Sequence, residues 1–580
     1  MAAAVPAHRP TNSSRQRKAQ AISPSTHAAD NSAAPHLTIV GAGLSGLTAA
    51  LYALGAGFRV TVLDRESFVG GRCASEPVTV DVNGQPLTAV FDTGATVWTM
   101  PSLVDDALAA VGLYTRDIDP SFSACPITPT YRAEFATRGG LDVYSDEDTM
   151  SSELERFGAD RTAITGYRKL RVWLQRLFDA AFDNFMSRSF DRVTDLFTGP
   201  GALRDLTTLA RLGAFGALQP KIQAFLGDDE LSRVFSFQAL YAGVPPAKAR
   251  AVYGCIAHMD TSMGVYYPTS TKFGSEMGAI PELLAEAVRR AGGTIELGVN
   301  VTGLKLDAEG RVREIATDTG DRATDAIICT TDLPVVKDWL NDALPATGNT
   351  ANSRGLLDVV KRKWKQRRLV PLRFSPSAVV AHGLIPASAT ESWPKRHHLI
   401  SFGDKWDETF QEISASSGGK LMSDPSLLIT RPAVSSPERL VRDENGQLWE
   451  PVSVLAPCPN LASAELDWPT MAESYVDQLA GELERRGLTG ISTQWHVGRI
   501  DTPKQWLDRG MGVGSPFGLA HLFRQTGPFR PRNFSPAMPE NLVLAGSTTV
   551  PGVGVPTVMI SGRLAAQRFA DPTASTDAGR

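Results

Sequence analysis

Three glycines and an acid are the first residues whose types and spacing could do chemistry together. Gly41, Gly43 and Gly46 stand in GxGxxG spacing directly after the apolar run HLTIV, and Asp64 ends a second run, FRVTVLD. The helical stretch LTAALYALGAG lies between them, so the unit reads as strand, glycine turn, helix, strand. In that arrangement the first glycine permits a tight turn, the second admits a pyrophosphate to the backbone, and the third lets helix pack on strand. The helix N-terminus, with Leu44 and Ser45 in its first turn, offers free N–H groups and the positive end of its dipole to phosphate oxygens. Asp64, followed by Arg65, is spaced to accept hydrogen bonds from a ribose diol. The reading is dinucleotide binding, without a 2'-phosphate; NAD and FAD both remain open on these residues.

A little further on, Gly70, Gly71 and Arg72 form GGR, where a guanidinium could meet the pyrophosphate from the opposite side. No GxSxG, HExxH or aspartate-rich motif is present, and the nine histidines show no ligand spacing; no metal site is expected. Cys73, Cys125, Cys255, Cys329 and Cys458 lie far apart with no CxxC pair. That spacing argues against a disulfide framework, a zinc centre or a dithiol redox site, and fits a reducing cytoplasm.

The elements that must position these groups belong to a chain of 580 residues, too long for one core. A net charge of -4 gives no general attraction to nucleic acid. No apolar run reaches the about eighteen residues needed to cross a bilayer. Residues 1–34, rich in Ala, Ser, Pro and Thr with early Arg and Lys, read as a disordered tail, with an organelle-targeting segment as the alternative. Residues 573–580 read as a second tail.

Near the C-terminus the run NLVLAG leads into STTVPGVGVPTVM, whose glycines and prolines fit neither a strand nor a helix interior. GxGxxG, the acid, GGR and then FDTG at 91–94, in this order, resemble the flavin-dependent amine oxidase and phytoene desaturase superfamily. SPSAVVAH, HHLISFG, DPSLLITRP, LAPCPNL, FRQTGPFRPRN and the final glycine-rich segment resemble its bacterial and fungal phytoene desaturases, over residues 36–570. Two stretches depart from that pattern: FGSEMGAIPELLAEAV lacks the paired glycines common there, and Ser547-Thr548-Thr549 is a variant of a GxxT-like segment.

The resemblance implies an α/β fold: a discontinuous Rossmann-like FAD-binding domain (35–110, 255–335, 535–572) with an inserted substrate domain of mixed sheet and helical cap (111–254, 336–534). It implies FAD, a hydrophobic carotenoid substrate, and oxygen or a quinone as electron acceptor. Backbone at Val301 would meet the adenine, and Gly546, Gly554, Val555 and Pro556 would carry the chain past the flavin. Further strands of the FAD sheet are expected at 294–307, 322–332 and 541–546. The expected reaction is stepwise desaturation of phytoene toward lycopene. A C30 or hydroxycarotenoid desaturase, an amine oxidase and a non-catalytic prenyl-lipid escort are the alternatives.

Catalytic groups are not apparent; His258 and His382 are weak candidates for taking a proton. His397 and His398, adjacent on an expected strand, should be one buried and one exposed. Cys73 reads as a packing residue rather than a covalent flavin link. Residues 160–245 read as amphipathic helices, with Leu170, Trp173 or Leu174, Leu177 and Ala181 on one face, and Leu203, Leu206, Leu209 and Phe215 set against Arg204, Asp205 and Arg211 in a second. Such a face is either core or a monotopic membrane contact, the latter making the protein cytoplasmic and peripherally membrane-associated.

Overall fold

Residues 36–64 fold as a β–α–β unit: His36–Val40 (β1), Leu44–Gly55 (α1) and Arg59–Asp64 (β2). The computed structural model describes residues 34–343, 372–536 and 538–570; apart from Ala34, the expected tails lie outside these. Three distant segments complete the first sheet, Thr294–Leu297 (β3), Ala326–Cys329 (β4) and Leu542–Leu544 (β5). The order is β5-β4-β1-β2-β3, parallel throughout. Parallel strands covered on both faces are apolar along their whole length, and Leu37, Ile39, Val62, Ile327 and Ile328 are fully buried. The expected strand at 294–307 divides in two. At Gly298 the backbone turns left-handed, with φ +69°, its N–H bonding to the Glu66 carbonyl at 2.9 Å. Val301–Leu306 then leaves the sheet and pairs antiparallel with Val312–Thr317.

The second sheet is mixed. It runs His496–Asp501, Ser377–Pro386, Leu448–Cys458, Leu427–Thr430, His398–Phe402, Tyr131–Phe135, Gly139–Val143. Only the pairing of His398–Phe402 with Tyr131–Phe135 is parallel in this sheet. Helices Arg161–Ala181 (α2) and Ala202–Leu212 (α3) pack beside it. Asp160 caps α2 by accepting the Ala163 N–H at 2.7 Å. Leu170, Trp173, Leu174, Leu177 and Ala181 are all buried in the core of this half, so the apolar face of α2 is spent on the protein itself. The chain is thus α/β, a Rossmann-like sheet joined to a mixed sheet with helices. Among the described residues no helix is long and apolar enough to cross a membrane.

The last helix, Val555–Ala570 (α4), lies across α1. A Cβ on Gly562 would stand 2.1 Å from the Ser45 carbonyl oxygen, so only glycine permits this approach. Ser561, Ala565 and Ala566 beside it are buried.

Candidate functional site

The three glycines of the first turn act for different reasons. Gly41 has φ +107°, a region L side chains rarely enter. A Cβ on Gly46 would meet the Gly41 carbonyl oxygen at 1.9 Å, so this glycine is demanded by helix-on-strand packing. Gly43 has ordinary backbone angles, φ -75° and ψ 176°, and a Cβ there would meet only the Gly70 oxygen, at 3.7 Å. Neither conformation nor protein contact requires glycine at 43; what it leaves is open space in front of the helix. Gly43 is the N-cap of α1 and gives no side-chain cap, so the first amides of the helix keep their hydrogens for an outside acceptor. Ser45 Oγ is buried and has no partner among the described residues.

Asp64 closes this turn from below. Its Oδ2 accepts the Ala42 N–H at 2.6 Å and its Oδ1 the Glu66 N–H at 2.9 Å. Burial raises its pKa, and those two amides oppose the rise. Each carboxylate oxygen keeps lone-pair capacity for another donor. The Val299 N–H bonds to the Asp64 carbonyl at 2.8 Å, which brings the segment leading to Val301, itself buried, alongside the end of β2. Arg65 pairs with Glu66 at 3.1 Å and opens onto a groove of about 450 Å³ shared with Arg499, Asp508 and Arg509.

The GGR segment lies directly against the first turn. Gly70 and Gly43 form a parallel bridge, and the Gly70 N–H reaches the Ala42 carbonyl at 2.9 Å. Gly71 also takes a left-handed backbone, φ +54°. Arg72 spans outward: Nη2 lies 2.9 Å from Asp332 Oδ1 and Nη1 donates to Ser547 Oγ at 2.5 Å, while Nε has no partner among the described residues. Cys73 is buried, its thiol 3.7 Å from the Met277 carbonyl and pushed up in pKa by burial. Asp92 of FDTG binds Ser75 Oγ, the Met277 N–H and Tyr267 OH at 2.6, 3.0 and 2.5 Å, a pin between three segments.

The C-terminal glycines arrive at the same place. Thr330, at the end of β4, donates to the Val40 carbonyl at 2.8 Å and stands between Gly41 and Gly546. A Cβ on Gly41 would strike its Oγ1, and one on Gly546 would come 3.1 Å from its carbonyl. Ser561 Oγ ties the loop to α4, donating to the Val550 carbonyl at 2.8 Å and accepting the Gly546 N–H at 3.1 Å. Gly554 has φ +123°, and Val555 and Pro556 open α4, where a first-turn proline loses no hydrogen bond. Both glycine-rich segments and Arg72 therefore border one region. The open space before Gly43, the uncapped amides of α1 and the unpartnered polar atoms of Ser45 and Arg72 fit a dinucleotide with its phosphates at the helix N-terminus.

The histidines resolve differently. His382 has no exposed surface; Nδ1 bonds Ser453 Oγ at 2.8 Å and Nε2 lies 3.6 Å from Asp501. His258 is buried against Phe178, ring centroids 5.2 Å apart, with Nδ1 unpartnered among the described residues and its pKa lowered by burial to about 4. His397 and His398 are both buried, contrary to expectation. Strand pairing begins only at His398, and the two rings do not diverge: they lie tilted together with centroids 4.6 Å apart, with Tyr267 tilted against His397 and Thr96 Oγ1 3.0 Å from His398. Two further side chains line the C-terminal segment, Arg530 from the FRQTGPFRPRN stretch, expected as a loop or phosphate anchor, and His521 from outside any motif. Arg530, fully buried, bonds the Thr549, Leu519 and Ser547 carbonyls at 2.8, 3.2 and 2.5 Å. His521 lies against Gly552, where a Cβ would stand 2.5 Å from its Nε2.

Sheet order and glycine placement together define a Rossmann-like dinucleotide-binding fold. Residues 44–361 match the flavin containing amine oxidoreductases. The chain is 43% identical to the phytoene dehydrogenase of Streptomyces griseus over 93% of its length and 95% of that protein's. It is 27% identical to the zeta-carotene-forming phytoene desaturase of Myxococcus xanthus, over 92% and 93%. A crystal structure of an oxidoreductase from Methanosarcina mazei shares the fold with a TM-score of 0.54, at 15% identity over 91% of this chain and 98% of that one. The chain belongs to the phytoene dehydrogenase and desaturase family within the flavin-containing amine oxidoreductases.

Proposed function

We infer that this chain desaturates phytoene in successive steps toward lycopene, with FAD as its cofactor. The observation that carries the reading is the junction of Arg72 with Ser547, which joins both glycine-rich segments around one region in a chain similar over nearly its whole length to a phytoene dehydrogenase. Bound FAD supplies a hydride acceptor at flavin N5. The residues have simpler tasks. Amides at Gly43, Leu44, Ser45 and Gly46 receive the pyrophosphate, Asp64 with Arg65 the ribose end, and backbone at Val301 the adenine. Gly70, Gly71 and Arg72 close the phosphate side, while Gly546, Gly554, Val555 and Pro556 run along the ring. The division into cofactor segments (35–110, 255–335, 535–572) and substrate segments (111–254, 336–534) belongs to the same reading. A lipid escort would need no such two-ended site. Oxygen or a quinone then reoxidises the cofactor.

The membrane contact in this proposal leaves the face of α2 and keeps Leu203 and Phe215 of the second amphipathic stretch. Among the described residues, six of the ten exposed large apolar side chains are Val193, Phe197, Leu203, Phe215, Phe523 and Phe529. The 527–529 turn packs on the 193–197 turn, which packs on α3. Arg250 links the rest, lying over the Phe523 ring at 5.2 Å and donating to the Phe215 carbonyl at 2.8 Å. Exposed Arg192, Arg211, Lys248 and Arg524 surround these side chains. Apolar groups among cations suit an anionic lipid surface.

The test is incubation of the FAD-loaded protein with phytoene in liposomes, followed by product separation. Products of lengthened conjugation are expected; unchanged phytoene beside a consumed C30 or hydroxylated carotenoid would transfer the reading to that relative.

A further inference from the structure

His521 is not among the groups that sequence motifs single out, yet its surroundings determine its tautomer. Its Nδ1 lies 3.0 Å from Tyr253 OH, and Tyr253 OH lies 2.6 Å from Thr526 Oγ1. Thr526 Oγ1 in turn lies 2.8 Å from the Leu522 carbonyl. A carbonyl only accepts, so the Thr526 hydroxyl hydrogen is committed to Leu522. The Tyr253–Thr526 contact then needs the tyrosine hydrogen, and the His521–Tyr253 contact needs a hydrogen on Nδ1. Only the Nδ1–H tautomer places one hydrogen in each of the three contacts. Nε2 is left as a lone-pair nitrogen, and it is the edge of the ring that faces Gly552.

We propose that His521 Nε2 accepts the proton released when the substrate is desaturated, held in register by the Tyr253–Thr526 chain. This rests on the desaturase reading above. Two C–H bonds of the substrate are lost: one hydrogen leaves with its electron pair to the bound flavin, and the other leaves as a proton to Nε2. The electron pair of the second bond becomes the new C=C, and His521 becomes an imidazolium. A weak base suffices, because a C–H bond next to a carbon that is losing hydride is strongly acidic. The groups facing His521 agree with that: Tyr253 on one side, and on the other Arg530, whose charge adds to burial in holding the imidazole neutral. The imidazolium is therefore short-lived and the base is regenerated.

The experiment compares wild type, His521→Gln, His521→Ala and Tyr253→Phe as full-length, flavin-loaded proteins. Flavin content and spectrum, kcat and KM for phytoene in liposomes, and the pH profile are read together. His521→Gln should keep flavin content and KM while kcat falls by about a hundredfold or more. Tyr253→Phe should lower kcat less, and added imidazole should restore part of the rate of His521→Ala. A His521→Gln enzyme within about threefold of wild-type kcat at every pH overturns the assignment, as does a fall in rate explained entirely by lost flavin. If wild type binds flavin but leaves phytoene untouched, the desaturase reading fails and this assignment with it. If His521→Ala does not fold, His521→Gln and Tyr253→Phe decide.

Discussion

Arg72 and Ser547, 475 positions apart, are joined by a 2.5 Å hydrogen bond from Nη1 to Oγ. The same guanidinium reaches Asp332, whose side chain is almost wholly buried and whose Oδ2 also accepts the Gly512 N–H at 3.1 Å. One side chain thus ties the N-terminal glycine turns to the end of β4 and to the C-terminal loop. Removing Asp332 leaves a part-buried cation unpaired, which costs more than the pair contributes. In a double-mutant cycle of Arg72→Met and Asp332→Asn, denaturant unfolding should show a coupling of about 1–3 kcal/mol. Additive effects would deny the junction.

Gly43 and Gly46 should separate cofactor binding from folding. Gly46→Ala forces a methyl against the Gly41 carbonyl and should cost about 3 kcal/mol or more, or prevent folding. Gly43→Ala has room and ordinary backbone angles. Its cofactor-free stability should stay within about 1 kcal/mol of wild type while flavin content drops. Equal stability losses in the two variants would show that position 43 faces protein.

Much of this site was legible because backbone geometry leaves marks in composition. Gly41, Gly46 and Gly562 are each required by a positive φ or a close contact, and Asp64 by its place at a strand end. The run AIIC and the run LVL at 542–544 were readable as buried strands for the same reason. What was not legible depends on segments that meet only in three dimensions. Gly298 breaks the strand at 294–307 because its amide finds Glu66. His521 and Tyr253 lie 268 positions apart, and neither sits in a motif. His397 and His398 read as diverging neighbours on a strand, but the strand begins at His398 and both rings turn into one buried cluster with Tyr267.

The exposed apolar surface gives a prediction of its own. Wild type should float with vesicles of phosphatidylcholine and phosphatidylglycerol, less with phosphatidylcholine alone. Phe197→Ser, Phe523→Ser and Phe529→Ser combined should reduce partitioning at least about tenfold without loss of flavin. Wild type remaining at the bottom of the gradient, or a triple variant that floats equally, would remove the membrane proposal.

Asp260 offers a pH test with a definite sign. Burial raises its pKa to about 7, with no charged group among the described residues offsetting the rise. An unfolded aspartate titrates near ~3.9. The stability it contributes is therefore present below that value and lost as pH rises through about 7. Asp260→Asn carries no charge at any pH, so its melting temperature should exceed that of wild type at pH ~8 and converge with it toward pH ~4. The neutral buried histidines act in the opposite direction but cancel in the difference. A gap that widens in acid would contradict the assignment.

One chain is proposed to hold a flavin in two glycine-rich halves and to reduce it with phytoene. Anaerobic mixing of the flavin-loaded protein with phytoene in vesicles tests that proposal directly, followed by the flavin absorption band. Bleaching of that band with stoichiometric formation of a more conjugated carotenoid is expected, with return of the band on admission of oxygen or a quinone. A protein that holds flavin firmly yet shows no bleaching with phytoene would contradict it.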